Sequence, residues 1–209
     1  MNDTMMDAME LDMLCEAFNI GAHKSAKALS DLTSHSAELA IPQVKEVLAS
    51  TLYSALTFSQ TTDIVCIRLP MSDSIDGHAE LVLTKKHADN LANLCLPRNI
   101  PEAMLPEVRQ EMLAEIGNIL LHACFGTVAN MLNIDVDLST PTIHHMKTNS
   151  LAVGVGASDD EKALAVDACL TLEGVDVEGF IVIYVGTESI SKIKKYIQEF
   201  MVSAGIKVS

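Results

Sequence analysis

The chain has 209 residues, 49% hydrophobic and 20% charged, which is enough to bury a core and too apolar for intrinsic disorder. Asp and Glu number 28 against 14 Lys and Arg, a formal net charge of −14, and no basic run exceeds the pairs Lys85-Lys86 and Lys194-Lys195. Binding a phosphate backbone or an anionic bilayer needs clustered cations, so the expected partners include neither nucleic acid nor membrane.

Asp3, Asp7 and Glu10 precede the first cation, Lys24, the reverse of a secretory signal. The cysteines (Cys15, Cys66, Cys95, Cys124 and Cys169) are odd in number and form no C-x-x-C pair. They are expected to be reduced apolar fillers in a cytoplasmic protein. The uncharged run Gly117–Ile134 contains Asn118, His122, Asn130 and Asn133, and reads as a buried helix, not a membrane span.

The sequence is written twice. The helical stretch Asp12–His23 has a counterpart 99 residues later, Glu111–His122, in which the acid, Met, Leu, Glu, Asn, Ile and His return in register. Leu39 and Leu138, and Pro42 and Pro141, keep the same separation. After the first helix the pattern predicts a short strand, Ala37–Ile41, ended by Pro42, and then a short helix over Val44–Leu56. Strands follow over Asp63–Leu69 and Ala79–Leu83 around an Asp76-Gly77 turn, and a helix over Lys85–Leu94 closes the half. The second half repeats the order: the motif helix, Val136–Thr140, a less clear helix over Ile143–Val153, strands Ala163–Leu170 and Gly179–Val185, and a helix over Ser189–Met201.

Asn99-Ile-Pro101-Glu links repeat one, about 1–98, to repeat two, about 102–209. Neither half alone offers a comfortable sheet. The expected fold class is α+β: one domain in which two pseudo-symmetric repeats share a roughly six-stranded sheet, with two long motif-bearing helices.

At about 100° per residue, Asp12, Glu16, Asn19 and His23 fall within roughly 60° of one another, and Glu111, Glu115, Asn118 and His122 do the same. Apolar residues such as Leu14, Phe18, Leu113 and Leu120 lie away from that face. For one helix, simple solvation accounts for such a face. Its return at the same phase, where other segments of the halves have diverged, points to a shared task. Glu and Asn at i, i+3 project side by side. Asn is no general acid, so this is not a paired-carboxylate hydrolase, and the pair is a poor metal site. Its amide both donates and accepts, which suits holding one water, while Glu can grip a cation on a partner.

The pattern D-x3-E-x2-N-x22-P, present as Asp12, Glu16, Asn19, Pro42 and again as Glu111, Glu115, Asn118, Pro141, resembles the mark of the CheC/CheX/FliY group of chemotaxis phosphatases. Two copies in about 200 residues are most similar to CheC. The resemblance implies hydrolysis of the aspartyl phosphate on a CheY-type receiver domain. Glu16 and Glu115 would pair with the receiver's lysine, and Asn19 and Asn118 would orient the attacking water. Asp12 and Glu111 would support them, and the prolines would be structural. It implies no cofactor of the protein's own, with Mg2+ carried by the receiver. It also names CheD as a candidate partner, and a non-catalytic binding or flagellar-switch module as the alternative role. With two sites in one chain, a monomer is expected.

The sequence departs from the pattern in three ways: Glu111 in place of Asp or Ser, Ala17-Phe18 in place of Ile-Gly, and His23 and His122 in place of a small residue. The histidines are either exposed helix residues or receiver contacts that make docking pH-sensitive. His144-His145 lacks a third ligand, and Gly154–Asp160 lacks the glycines of a phosphate loop, so no metal or nucleotide site is expected.

Overall fold

Helix α1 (Ala8–Thr33) begins where Asp7 accepts from the Glu10 N–H at 2.8 Å and the Glu10 carboxylate accepts from the Asp7 N–H at 2.8 Å. The buried Glu10 also accepts from Gln198 Nε2 at 2.6 Å, which anchors the helix start to the C-terminal helix. The helix stops at Ser34, whose left-handed backbone breaks the hydrogen-bond run. The structure, a computed structural model, describes residues 5–52, 62–96, 99–148, 162–173 and 175–206. The glycine-containing loop at 154–160 lies outside them.

Strands β1 (Ala37–Ala40) and β2 (Val44–Leu48) follow, then β3 (Asp63–Asp73), β4 (Gly77–Thr84) and α2 (Lys85–Cys95). The second repeat supplies α3 (Leu105–Leu132), β5 (Val136–Leu138), β6 (Thr142–Lys147), β7 (Lys162–Leu172), β8 (Val175–Val185) and α4 (Thr187–Ser203). One antiparallel sheet runs β1-β7-β8-β4-β3-β5, with β2 also on β7 and β6 also on β3.

The repeats exchange their edges. β1 and β2 of the first repeat line up along β7 of the second, and β5 and β6 of the second line up along β3 of the first. Registers match across the repeat: Leu39 faces Leu170 as Leu138 faces Met71, and Val44 faces Val166 as Ile143 faces Ile67. The central pair β4–β8 meets at Leu81 and Ile181, near the pseudo-two-fold axis.

Two expectations are corrected here. Val44–Leu48 and Thr142–Lys147 are strands, not helices; of the expected helical spans, the parts at 53–56 and 149–153 lie outside the described residues. Each proline stands between two short edge strands, as expected at a strand end or edge, and the eleven-residue β7 and β3 are long enough to pair with both. The sheet therefore has eight strands occupying six positions.

Among the described residues, α1, α2, α3 and α4 lie on one face. Alternate residues point into that face from β3 (Val65, Ile67, Leu69) and β7 (Leu164, Val166, Ala168), while Ile64, Cys66, Ala163 and Ala165 point to a smaller cluster behind the sheet. Together with its leading turn, α3 is, among the described residues, the one helix long and apolar enough to cross a membrane. More than half (56%) of its most apolar 18 residues are buried inside the fold, as suits the core helix of a globular protein.

α1 and α3 meet where side chains are smallest. Ser25 and Cys124, 99 positions apart, touch at 3.5 Å, and Ser25 Oγ donates to the Leu120 carbonyl at 3.1 Å. A Cβ on Gly21 would lie 2.7 Å from the Cys124 Cα, against backbone that cannot move aside. Gly126, on α3, has nothing within 4 Å of the same construction. Gly21→Ala is therefore expected to cost about 1–3 kcal/mol by prying the helices apart. Gly126→Ala is expected to gain about 0.5–1 kcal/mol by removing an interior helix glycine. Urea unfolding of the two variants should show these opposite signs.

Candidate functional site

On α1, Asp12, Glu16 and His23 are exposed and Asn19 is half-buried; on α3, Glu111 and Glu115 are exposed and Asn118 and His122 are half-buried. Each set shares a face, and the Glu of each stands one turn before its Asn. The two faces lie at opposite edges of the sheet, since Asn19 reaches Ile41 beside β1 and His122 reaches Leu138 on β5. None of the four carboxylates has an ion-pair or hydrogen-bond partner among the described residues. Each is thus available to a cation that arrives from outside.

The asparagines are in different states. Asn19 Nδ2 donates to the Ile41 carbonyl at 2.8 Å and to the Cys15 carbonyl at 3.2 Å, and its Oδ1 accepts from the Ile41 N–H at 2.9 Å. Asn118 has no side-chain hydrogen bond among the described residues. The histidines mirror each other more closely. His23 Nδ1 lies 2.9 Å from the Asn19 carbonyl, and His122 Nδ1 lies 3.1 Å from the Asn118 carbonyl. His122 Nε2 also approaches the Leu138 carbonyl at 3.4 Å. A carbonyl only accepts, so only the doubly protonated ring can donate to both.

The Ala17-Phe18 departure has a packing reason. Gly117 lies against β3, where an added Cβ would come 2.4 Å from Ile67 Cγ2. Its counterpart Phe18 is buried and meets Phe125 edge-to-face at 5.5 Å, and the sheet position corresponding to Ile67 holds the smaller Val166. Beside α1 a groove of about 560 Å3 runs along the β1–β7 edge, lined by Asn19, His23, Lys27, Glu38, Cys169 and Thr171.

Sequence reasoning missed a second polar assembly, behind the sheet. Arg68 on β3 donates from Nε to Glu80 on β4 at 2.6 Å, with Glu80 fully buried. His78 stacks on Tyr184 of β8 with ring centroids 4.8 Å apart, and His144 on β6 lies near enough to act on its charge. Glu80 Oε2, His78 Nε2 and Tyr184 OH have no hydrogen-bond partner among the described residues. Burial raises the Glu80 carboxyl, against the pull of Arg68. Burial chiefly, with Arg68 and His144, lowers His78 to about 4. The only sequence signal is the alternation of His78 and Glu80 opposite Arg68, which reads equally as a solvated strand face. No group of three or more His, Cys, Asp or Glu converges as a metal site among the described residues.

No family model matches the chain. Solved structures match its fold over nearly its whole length. FliY of Thermotoga maritima superposes with a TM-score of 0.74 at 17% identity, covering 93% of this chain and 98% of that one. FliM in its complex with SpeE from H. pylori gives 0.68 at 13% identity, over 98% and 100%. CheX in the CheX–CheY–BeF3–Mg2+ complex from Borrelia burgdorferi gives 0.50 at 16% identity, over 82% and 96%. The chain has the fold of the FliY, FliM and CheX structures, and FliY and CheX belong to the group its doubled motif resembles. At these identities the likeness is one of fold.

His78 is held neutral in the folded protein below its ordinary value of 6.5, so the unfolded chain binds its proton first. Its contribution to stability is present above about pH 6.5 and is lost as pH falls towards about 4. Unfolding free energy measured between those values should fall less steeply in His78→Gln than in the parent.

Proposed function

We propose that the protein hydrolyses the aspartyl phosphate of a CheY-type receiver domain in chemotaxis signalling. The observation that carries this reading is the repeated Glu–Asn pair, one turn apart on each long helix and with neither glutamate paired among the described residues, on the fold shared with FliY and CheX. Phosphoryl transfer asks a protein mainly for positioning and charge neutralisation. The receiver brings Mg2+ and a lysine with its phosphate, so this chain need only dock and place water.

Glu16 and Glu115 serve as the grip on the receiver's lysine. An asparagine amide turned outward holds a water in line with phosphorus, accepting from it at Oδ1 or donating to it at Nδ2. As a neutral group it adds no repulsion against the phosphoryl oxygens. Asp12 and Glu111 extend the acidic face by one turn, and His23 and His122, one turn beyond each asparagine, stand where a docked receiver would touch. Mg2+ belongs to the substrate, and the chemistry assigned here requires no cofactor of the protein's own.

A second reading, a docking or switch module without turnover, is favoured by the likeness of the fold to FliM, solved as a FliM–SpeE complex, at a TM-score of 0.68; a CheD-type partner belongs with that reading.

The two separate in one assay. The parent protein should accelerate phosphate loss from a Mg2+-loaded, phosphorylated receiver. Asn19→Ala/Asn118→Ala should bind that receiver and release phosphate about 100-fold more slowly, the scale of losing one transition-state contact. Glu16→Ala/Glu115→Ala should weaken binding first. A parent protein that binds without acceleration would establish the docking module.

A further inference from the structure

The two motif copies share their Glu, Asn and Pro and hold their asparagines differently. Ile41 is buried and sits in the break that Pro42 makes between β1 and β2. The ladder to β7 pairs Ala40 with Cys169 and resumes with Val44 and Val166, which leaves the Ile41 peptide out of it. Its N–H and carbonyl would be orphaned in the core edge, at a cost comparable to lost hydrogen bonds. The Asn19 carboxamide supplies both partners, at 2.9 and 2.8 Å, as a neighbouring strand would, and its second N–H is held by Cys15. Cys15 Sγ adds a contact to the Ile41 carbonyl at 3.3 Å.

The second break needs no such help. Thr140 is exposed, Ser139 N–H already reaches the Pro70 carbonyl at 3.1 Å, and Asn118 keeps its carboxamide free among the described residues. With both N–H groups and one Oδ1 lone pair engaged at Ile41 and Cys15, the Asn19 carboxamide is fixed on the strand break and has no donor left for a water, whereas both ends of Asn118 remain open.

We infer that the two sites have divided the work: Asn19 is a latch that closes the β1–β2 edge, and the Glu115/Asn118 face of α3 carries the turnover. This rests on the phosphatase reading for its catalytic half, while the latch stands on geometry alone.

Two measurements test the halves separately. The first is amide hydrogen exchange of the parent protein. Ile41 N–H, outside the ladder, should exchange at least about 100-fold more slowly than Thr140 N–H. Asn19→Ala should speed Ile41 exchange at least about tenfold, and Asn19→Asp, which keeps the acceptor for the Ile41 N–H, should speed it less. Equal exchange at Ile41 and Thr140 in the parent would overturn the latch, even if no variant folds.

The second is phosphate release by Asn118→Ala alone. Two equal sites would hold the loss to about twofold, since half the sites remain. A single working site predicts about 100-fold. A twofold loss would overturn the division of labour and leave the phosphatase reading intact. A parent protein without activity would overturn that reading and the catalytic half together, with the latch still decided by exchange.

Discussion

Everything else in this molecule is arranged around the crossing of α1 and α3. Gly21 lets the Cys124 backbone approach more closely than any side chain would allow, and Ser25 and Cys124, the same position in the two repeats, touch there at 3.5 Å. Packing this tight leaves each helix one buried stripe and one outward face. Because equivalent residues meet at the crossing, the faces turn away from each other. The Glu–Asn pairs therefore emerge at opposite edges of the sheet.

The exchange of edge strands follows from the same symmetry. Each repeat contributes a hairpin to the sheet centre and sends its short edge strands to the other repeat. Neither half could close its own sheet, so the repeats are joined by backbone hydrogen bonds as well as by core burial. Each motif helix is also fixed at one end: α1 at its start through Glu10 to Gln198, and α3 at its close by Asn133 in a left-handed cap, with Ile134 N–H returning to the Ala129 carbonyl at 2.9 Å. A face meant to dock a partner benefits from such rigid support, because little ordering remains to be done on binding.

Much of this was legible in the residues. The 99-residue repeat, the motif faces, the central strands and the closing helices all follow from spacing, since long periodic segments declare their type. The edge strands do not. Val44, Val47 and Leu48 fit a helical turn as well as an alternating strand, and five residues cannot separate the two periods. The exchange of edges is invisible because strand pairing is settled by distant partners. The state of the asparagines is hidden for a sharper reason. Asn19 and Asn118 stand at the same phase and the same distance from a proline, and only the burial of Ile41 against the exposure of Thr140 tells them apart. The ion pair of Arg68 with the fully buried Glu80 is equally silent in sequence, where an alternating charge reads as a wet face.

The central claim is that a phosphorylated receiver engages the outer face of α3 through an asparagine left free for the purpose. It is tested most directly by following the side-chain carboxamide resonances of Asn19 and Asn118 while a receiver loaded with Mg2+ and beryllofluoride is added. The account predicts that the Asn118 signals shift and saturate with the receiver while those of Asn19 stay in place. Movement of Asn19 alone, or of neither while the receiver binds elsewhere, would contradict it.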